Sequence, residues 1–228
     1  MCSSDLFPSH DIWIETKDEH GRWIEGDDRM VQRKSLGKGI HRKVTKVKRF
    51  THDNKEIEDE IDTERFKHVK NGVVVECGTR IFNSANISLG ESVYIGHGCF
   101  IDGYHEGPGL EIGDNCWIGP GCYIHAAGGI KIGKNTGIGP HVKMLTSYHD
   151  MHQTGKPVIE NELKFEGIEI GEDCDIGMGA MLLPGAKIGR GCIVEAGAIV
   201  REDLSGCEAR IIKMKDGRAE PHEVRRVI

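Results

Sequence analysis

Aliphatic residues recur every six positions along much of this chain. The segments ISLGESVYIGHGCFI from Ile87, LEIGDNCWIGPGCYI from Leu110, IKIGKNTGIGPHVKM from Ile130 and IEIGEDCDIGMGAML from Ile168 align without gaps, and AKIGRGCIVEAGAIV follows from Ala186. Each is built of hexads that read aliphatic–Gly–x–x–small–x. The aliphatic positions include Ile95, Ile112, Ile118, Ile132, Ile138, Ile170, Ile176, Leu182, Ile188, Val194 and Val200. Four residues after an aliphatic position comes a small one: Cys99, Cys116, Cys122, Thr136, Val142, Cys174, Ala180, Ala186, Cys192 and Ala198. A period of six suits neither a helix nor a plain strand, but it suits a short strand followed by a corner. The small residue and the next aliphatic one then point inward, two apart, with an outward residue between them. Gly, Asn and Asp in IGDN, IGKN and IGED tolerate the positive φ of tight corners. Three hexads predict an 18-residue triangular turn, and stacked turns predict an all-β parallel solenoid of about six coils around one narrow core.

The register slips at one place only. The leading Leu89, Ile112, Ile132, Ile170 and Ile188 leave insertions at Asp102–Gly109, His125–Gly129 and Leu145–Gly167, all in the third hexad and so at one corner of the prism. Loops gathered at one corner of a rigid scaffold are where function concentrates, and the longest is beyond ordinary connector length. It opens on Thr146-Ser-Tyr-His-Asp150. His149 is therefore a candidate for proton transfer, with His152 a second. His97, His105 and His125 are expected near the same corner.

Composition agrees with a turn-built fold. Gly numbers 31 in 228 residues, while aromatics are only 6%. The net charge of −6 gives no electrostatic footprint for nucleic acid, and no apolar run is long enough for a membrane span. The N-terminus lacks the pattern of a signal peptide. Five cysteines fall on small inward positions, which predicts buried, reduced thiols and a cytoplasmic setting.

The stretch IGPHVKMLTSYHD, a loop with GKPV, and IGEDCDIGMGAMLLPGAKIGRGCIVEAGAIVRED together resemble the hexapeptide-repeat acyltransferases, whose fold is a left-handed parallel β-helix. The branch most similar is that of the galactoside, maltose and polysaccharide O-acetyltransferases, and the resemblance covers about residues 74–213. It implies an acetyl-CoA-dependent O-acetyltransferase that acts on a sugar or polysaccharide-precursor hydroxyl, without a metal, as a homotrimer with sites between subunits. By the family's aliphatic–x–Thr–x–x–His segment, His149 is the general base of direct acyl transfer. A neutral imidazole suits the removal of a hydroxyl proton near neutral pH. The resemblance assigns the Met178 N–H to the oxyanion, and Gly177, Met178, Gly179, Ala196, Gly197, Arg201, Arg210 and Lys213 to the coenzyme. Tyr148, Asp150 and His125 are the corresponding acceptor-site candidates. The sequence departs from the pattern at Asp175, where an aromatic is common, at Glu202, where Lys is common, at Gly206–Ala209, which lacks a Pro, and at Ala127, where the sugar branch has an acceptor-binding Asn. An amino-sugar nitrogen stays open as acceptor. So do two other classes: a γ-class carbonic anhydrase, for which an H-x4-H pair is missing from the repeats, and a non-catalytic interaction module.

Residues 1–72 carry no repeat and form a mixed, charged arm with 15 acidic and 15 basic residues. A hairpin is expected around His20-Gly21. Arg33–Arg49 holds eight basic residues and no acidic one, and is read as a solvated face. Apolar Ile57, Ile61, Phe66 and Val69 predict a helix over Lys55–Lys70. Met1–Leu6 back-translates to the end of a common sequencing adapter, so these residues are expected to be foreign to the natural frame. The β-helix is expected over 73–204 with the loop 145–167, and 205–228 as a short C-terminal tail.

Overall fold

A computed structural model describes residues 44–50, 56–62 and 65–223. The chain winds as a parallel β-helix with three flat faces. The first face stacks Val74–Val75, Tyr94–Ile95, Trp117–Ile118, Gly137–Ile138, Asp175–Ile176 and Ile193–Val194, and continues into Arg210–Lys215. The second face stacks Arg80–Phe82, Phe100–Asp102, Tyr123–His125, Lys143–Leu145, Met181–Leu182 and Ile199–Val200. The third runs from His68–Val69 through Ile87–Leu89, Leu110–Ile112, Ile130–Ile132, Ile168–Ile170 and Lys187–Ile188 to Asp203–Leu204. Every aliphatic and small hexad position named above is buried. The register stacks like on like, for example Ile95, Ile118, Ile138, Ile176 and Val194 along the first face.

Two chemistries shape the corners. Asn115, Asn135 and Asp173 take the positive φ, at 55°, 56° and 59°. The glycines just before them have another reason: a β-carbon on Gly113, Gly133 or Gly171 would lie within 2.5–2.7 Å of the backbone nitrogen of Lys134, Glu172 or Arg190 in the next coil. The small position is more than filler. Thr79 and Thr136 hydroxyls and Cys99, Cys116, Cys122 and Cys174 thiols donate to the carbonyls of Gly96, Gly171, Gly119, Gly133, Gly139 and Gly189 respectively, each one coil on or one corner away. At these positions a short side chain with a terminal donor fits the corner and also satisfies that carbonyl, whereas Val142, Ala180, Ala186 and Ala198 only fill it. The described cysteines are free thiols, and burial pushes the Cys116, Cys174 and Cys192 pKa values up, so they stay protonated.

The ends of the stack differ from the expected outline. Among the described residues of 55–70 the expected helix is replaced by extended chain. Glu56–Asp62 is a strand, antiparallel to Val44–Phe50, and Val44–Phe50 in turn pairs in parallel with Val74–Val75. The apolar spacing there was ambiguous, whereas Glu56, Glu58, Glu60 and Asp62 alternate with period 2. Their register sets Glu60 opposite Lys46 and Glu58 opposite Lys48. At the other end, Arg210–Lys215 extends the first face and Arg218–Glu223 folds back on it. Pro221, which has no N–H, sits in that edge strand. A hairpin at each end covers a sheet edge that would otherwise invite pairing with another chain. The expected hairpin near His20 and residues Met1–Leu6 lie outside the described residues.

Candidate active site

The insertions do share one corner, between the second and third faces. Thr146 anchors the longest. It is fully buried, its hydroxyl donates to the His125 carbonyl at 2.8 Å and accepts the Gly128 N–H at 2.8 Å, and its carbonyl accepts the Glu166 N–H at 3.0 Å. Both ends of the insertion are thereby tied to the coil beneath. The segment between is a two-stranded antiparallel ribbon, not an open loop: Ser147 faces Phe165, Tyr148 faces Lys164 and His149 faces Leu163. Its β-formers on either side of a Gly155–Pro157 turn are a strand pattern too short to stand out.

His149 sits at the loop end of that ribbon, beside the 150–162 segment, and is half-buried. Its Nδ1 lies 3.0 Å from the carbonyl oxygen of Asn161. A carbonyl only accepts, so Nδ1 carries the proton and donates. In the neutral ring Nε2 is then the bare nitrogen, the tautomer that can receive a proton. Tyr148 is exposed, and its hydroxyl donates to Glu166 at 2.6 Å, which pushes the phenol pKa up. Asp150 is occupied by the turn that follows, where one oxygen accepts the His152 N–H at 2.9 Å.

One coil earlier, His125 and Asp102 stand side by side at the edge of the second face, with Nε2 and Oδ2 3.9 Å apart. Asp102 also accepts from Asn83 and from the Tyr104 N–H, both at 2.7 Å. The Tyr104 ring lies between His125 at 5.5 Å and Phe165 of the long insertion at 6.0 Å. His105 joins this group, with its ring 4.9 Å from Tyr104. His97 does not. It follows Tyr94–Ile95, so it belongs to the corner between the first and second faces, where it pairs with Glu76 at 3.2 Å. Tyr104, Phe165, Asp102 and Asn161 have no role in the sequence reading; none stands in a motif, and only the fold brings them to the corner.

Of the other family-matched residues, Gly177, Met178, Gly179, Ala196 and Gly197 gather at that first-to-second corner, whereas Arg201 follows the second face and Arg210 enters the first from the third. Equivalent positions in successive coils are His97, Pro120, Pro140, Met178 and Ala196. Proline supplies no N–H. Met178 does, and among the described residues its N–H donates to no acceptor. Met178 as a whole is 58% exposed. A β-carbon on Gly179 or Gly197 would meet nothing within 4 Å, so the surface there is open and shallow. Gly177 is different: a β-carbon would lie 2.5 Å from the Ala196 nitrogen and 2.6 Å from the Val194 oxygen. Gly177→Ala is expected to cost about 1–3 kcal/mol by forcing two coils apart, read as a lower melting temperature by calorimetry. Arg201 is exposed. Arg210 pairs with Glu223 at 3.2 Å and Lys213 with Glu195 at 3.8 Å.

His149 and Met178 thus lie at opposite edges of the second face. A face is crossed in about five residues, or roughly 15 Å at a strand's rise. Among the described residues, no group of three His, Cys, Asp or Glu side chains converges as a metal site, and no helix is long and apolar enough to cross a membrane.

A stacked triangular coil with hexads at every face is the architecture of the hexapeptide-repeat proteins, and two hexapeptide family models match parts of this chain. The family model "Bacterial transferase hexapeptide (six repeats)" matches residues 167–202, and "Hexapeptide repeat of succinyl-transferase" matches residues 109–139. A Schizosaccharomyces pombe protein named as an acetyltransferase, C18B11.09c, is 35% identical over 81 residues, which is 33% of this chain and 35% of that one. Bacillus subtilis YvoF, also named as an acetyltransferase, is 32% identical over 93 residues, 38% of this chain and 49% of its own. The matched stretch therefore spans between about a third and a half of these relatives. Among solved structures, a variant of AntD, an N-acyltransferase from Bacillus cereus in complex with dTDP and coenzyme A, superposes with a TM-score of 0.61. It shares 21% identity and covers 72% of this chain and 89% of its own. That likeness establishes the fold, a left-handed parallel β-helix.

Proposed function

We propose that this protein transfers an acetyl group from coenzyme A to a sugar hydroxyl, with His149 as general base. The single observation that carries this reading is the His149 Nδ1 contact with the Asn161 carbonyl, which leaves Nε2 free to accept a proton. In the reaction the acceptor oxygen attacks the thioester carbonyl and gives its proton to Nε2. The C–O bond forms, the C–S bond breaks, and the thiolate of coenzyme A leaves. The charge that develops on the carbonyl oxygen needs a fixed donor, and the unpaired Met178 N–H suits that need.

The surface near Met178 fits a long, thin co-substrate. Gly179 and Gly197 leave room for a pantetheine arm against the backbone. Arg210 and Lys213 are cations for its phosphates, and their present partners are exposed ion pairs that cost little to exchange. The acceptor side is the loop corner, where Tyr148, Asp150, His125 and Tyr104 offer hydroxyl, carboxylate, imidazole and an aromatic face.

This reading needs a second copy of the chain, and we propose a homotrimer. The separation of His149 from Met178 supports it. So do the apolar side chains left open on two faces and on the ribbon. Trp117, Tyr123 and Ile193 are each about 40% exposed, while Ile159 at the ribbon tip is 79% exposed. The third face, by contrast, turns Glu111, Lys131, Glu169 and Lys187 outward. Ile159→Glu is expected to shift the protein toward monomer in sedimentation velocity and to lower acetyl transfer with it. A monomer of full activity would overturn the shared site. The reading as a whole is tested by coenzyme A release from acetyl-CoA over a panel of sugars, nucleotide sugars and amino sugars. Release faster with a sugar than without is the expected result, and release indifferent to every sugar would remove the function.

A further inference from the structure

Asn161 is an unusual residue for the outside of a solenoid. It is only 5% exposed, in an insertion whose neighbours Ile159, Glu160 and Glu162 all face solvent. It follows a single turn of 3₁₀ helix, Val158–Glu160, and its N–H closes that turn on the Val158 carbonyl at 3.0 Å. Its side chain reaches back across the insertion. Nδ2 donates to the Asp150 carbonyl at 2.8 Å and to the Gln153 carbonyl at 3.2 Å. Two carbonyls can only be met by the NH2 end of the amide, so the orientation of the amide is set by its partners. Oδ1 is buried without a partner among the described residues. Leaving such an atom unpaired carries a free-energy cost, so the two donated bonds hold the side chain in place against it.

The same residue presents its own carbonyl to His149 Nδ1. The side-chain amide thus binds the start of the turn at Asp150 and its far side at Gln153, while the main chain of the same residue faces the imidazole. We infer that Asn161 is the positioning residue of this site: its side chain clamps the 150–161 segment shut so that its carbonyl holds His149 as the Nδ1–H tautomer. The catalytic consequence rests on the reading of His149 as the base; the clamp itself does not. The chemistry asks for a donor of two hydrogen bonds, so an isosteric carboxylate fails. Asn161→Asp keeps the volume but, once ionised, has nothing to donate and sets a charge beside two carbonyls.

The test is a ¹⁵N imidazole spectrum of the full-length protein, with the His149 signal identified by its loss in His149→Ala. The wild type is expected to display a protonated Nδ1 and a bare Nε2. In Asn161→Ala and Asn161→Asp the His149 signal is expected to move to a mixture of tautomers, while circular dichroism still reports the folded β-helix. Should either variant fail to fold, Asn161→Ser, which keeps one hydroxyl donor, is expected to give an intermediate spectrum. Transfer from acetyl-CoA, with the panel sugar that releases coenzyme A fastest, is the second readout. Both variants are expected to lose about 10–100-fold in kcat with KM for acetyl-CoA unchanged, the size of loss that follows small misplacement of a reacting group. Combining Asn161→Ala with His149→Ala is expected to be no slower than His149→Ala alone, because the two act through one nitrogen. An unchanged tautomer in both variants, or Asn161→Asp behaving as wild type, would overturn the clamp. A changed tautomer together with a fully active His149→Ala variant would uphold the clamp and remove the base.

Discussion

His149→Ala is expected to lower kcat for acetyl transfer by about 10²–10⁴-fold, the contribution of a positioned general base. The fold should survive. His149 lies on the insertion ribbon outside the coil stack, and its ring gives up one hydrogen bond, to the Asn161 carbonyl. That loss is worth on the order of 1 kcal/mol. Steady-state kinetics beside a thermal melt separate the two effects. Turnover near that of the wild type, from a protein that melts normally, would end the assignment. Coenzyme A binding measured by calorimetry on the same variant is expected to stay intact, because Met178, Gly179 and Gly197 stand at another corner.

The largest stability effect is expected at the middle of the stack. Ile138 is fully buried and lies in register between Ile118 and Ile176. Ile138→Ala removes packing from both coil interfaces at once, in a fold where each coil is held chiefly by its two neighbours. A loss of about 2–5 kcal/mol is expected. For a chain of this size that is roughly 2–4 °C in melting temperature for each kcal/mol. Lys131→Ala, one face away in the same coil and pointing outward, is expected to stay within about 0.5 kcal/mol of the wild type. Equal melting of the two variants by differential scanning calorimetry would contradict a core built from the hexad columns.

The hexads made the solenoid legible because their rule is local. A coil must turn every six residues, so each turn carries its own small residue and its own aliphatic side chain, and those positions are buried as expected. The shared corner for the insertions followed by subtraction alone. Local pattern failed at the ends. Ile57 and Ile61 fit a helix as well as a strand, and it is pairing with Val44–Phe50 that selects the strand. It failed again in the long insertion, where a ribbon forms because Thr146 ties both ends to the coil below. His97 went to the wrong corner for a simpler reason: it lies in the hexad before the insertion, and in a prism one hexad is one corner.

The amino-acid sequence by itself determined the three-faced coil, its inward columns and the corner from which His149 emerges, since a repeat of six acts through nearest neighbours along the chain and from coil to coil. The tertiary structure alone decided which nitrogen of His149 is bare, because that depends on a carbonyl twelve residues away brought near by a buried amide. It alone also left the Met178 N–H without an acceptor among the described residues. Distances across a fold are set by how coils stack and which groups must be satisfied when buried, and no spacing along the chain encodes them.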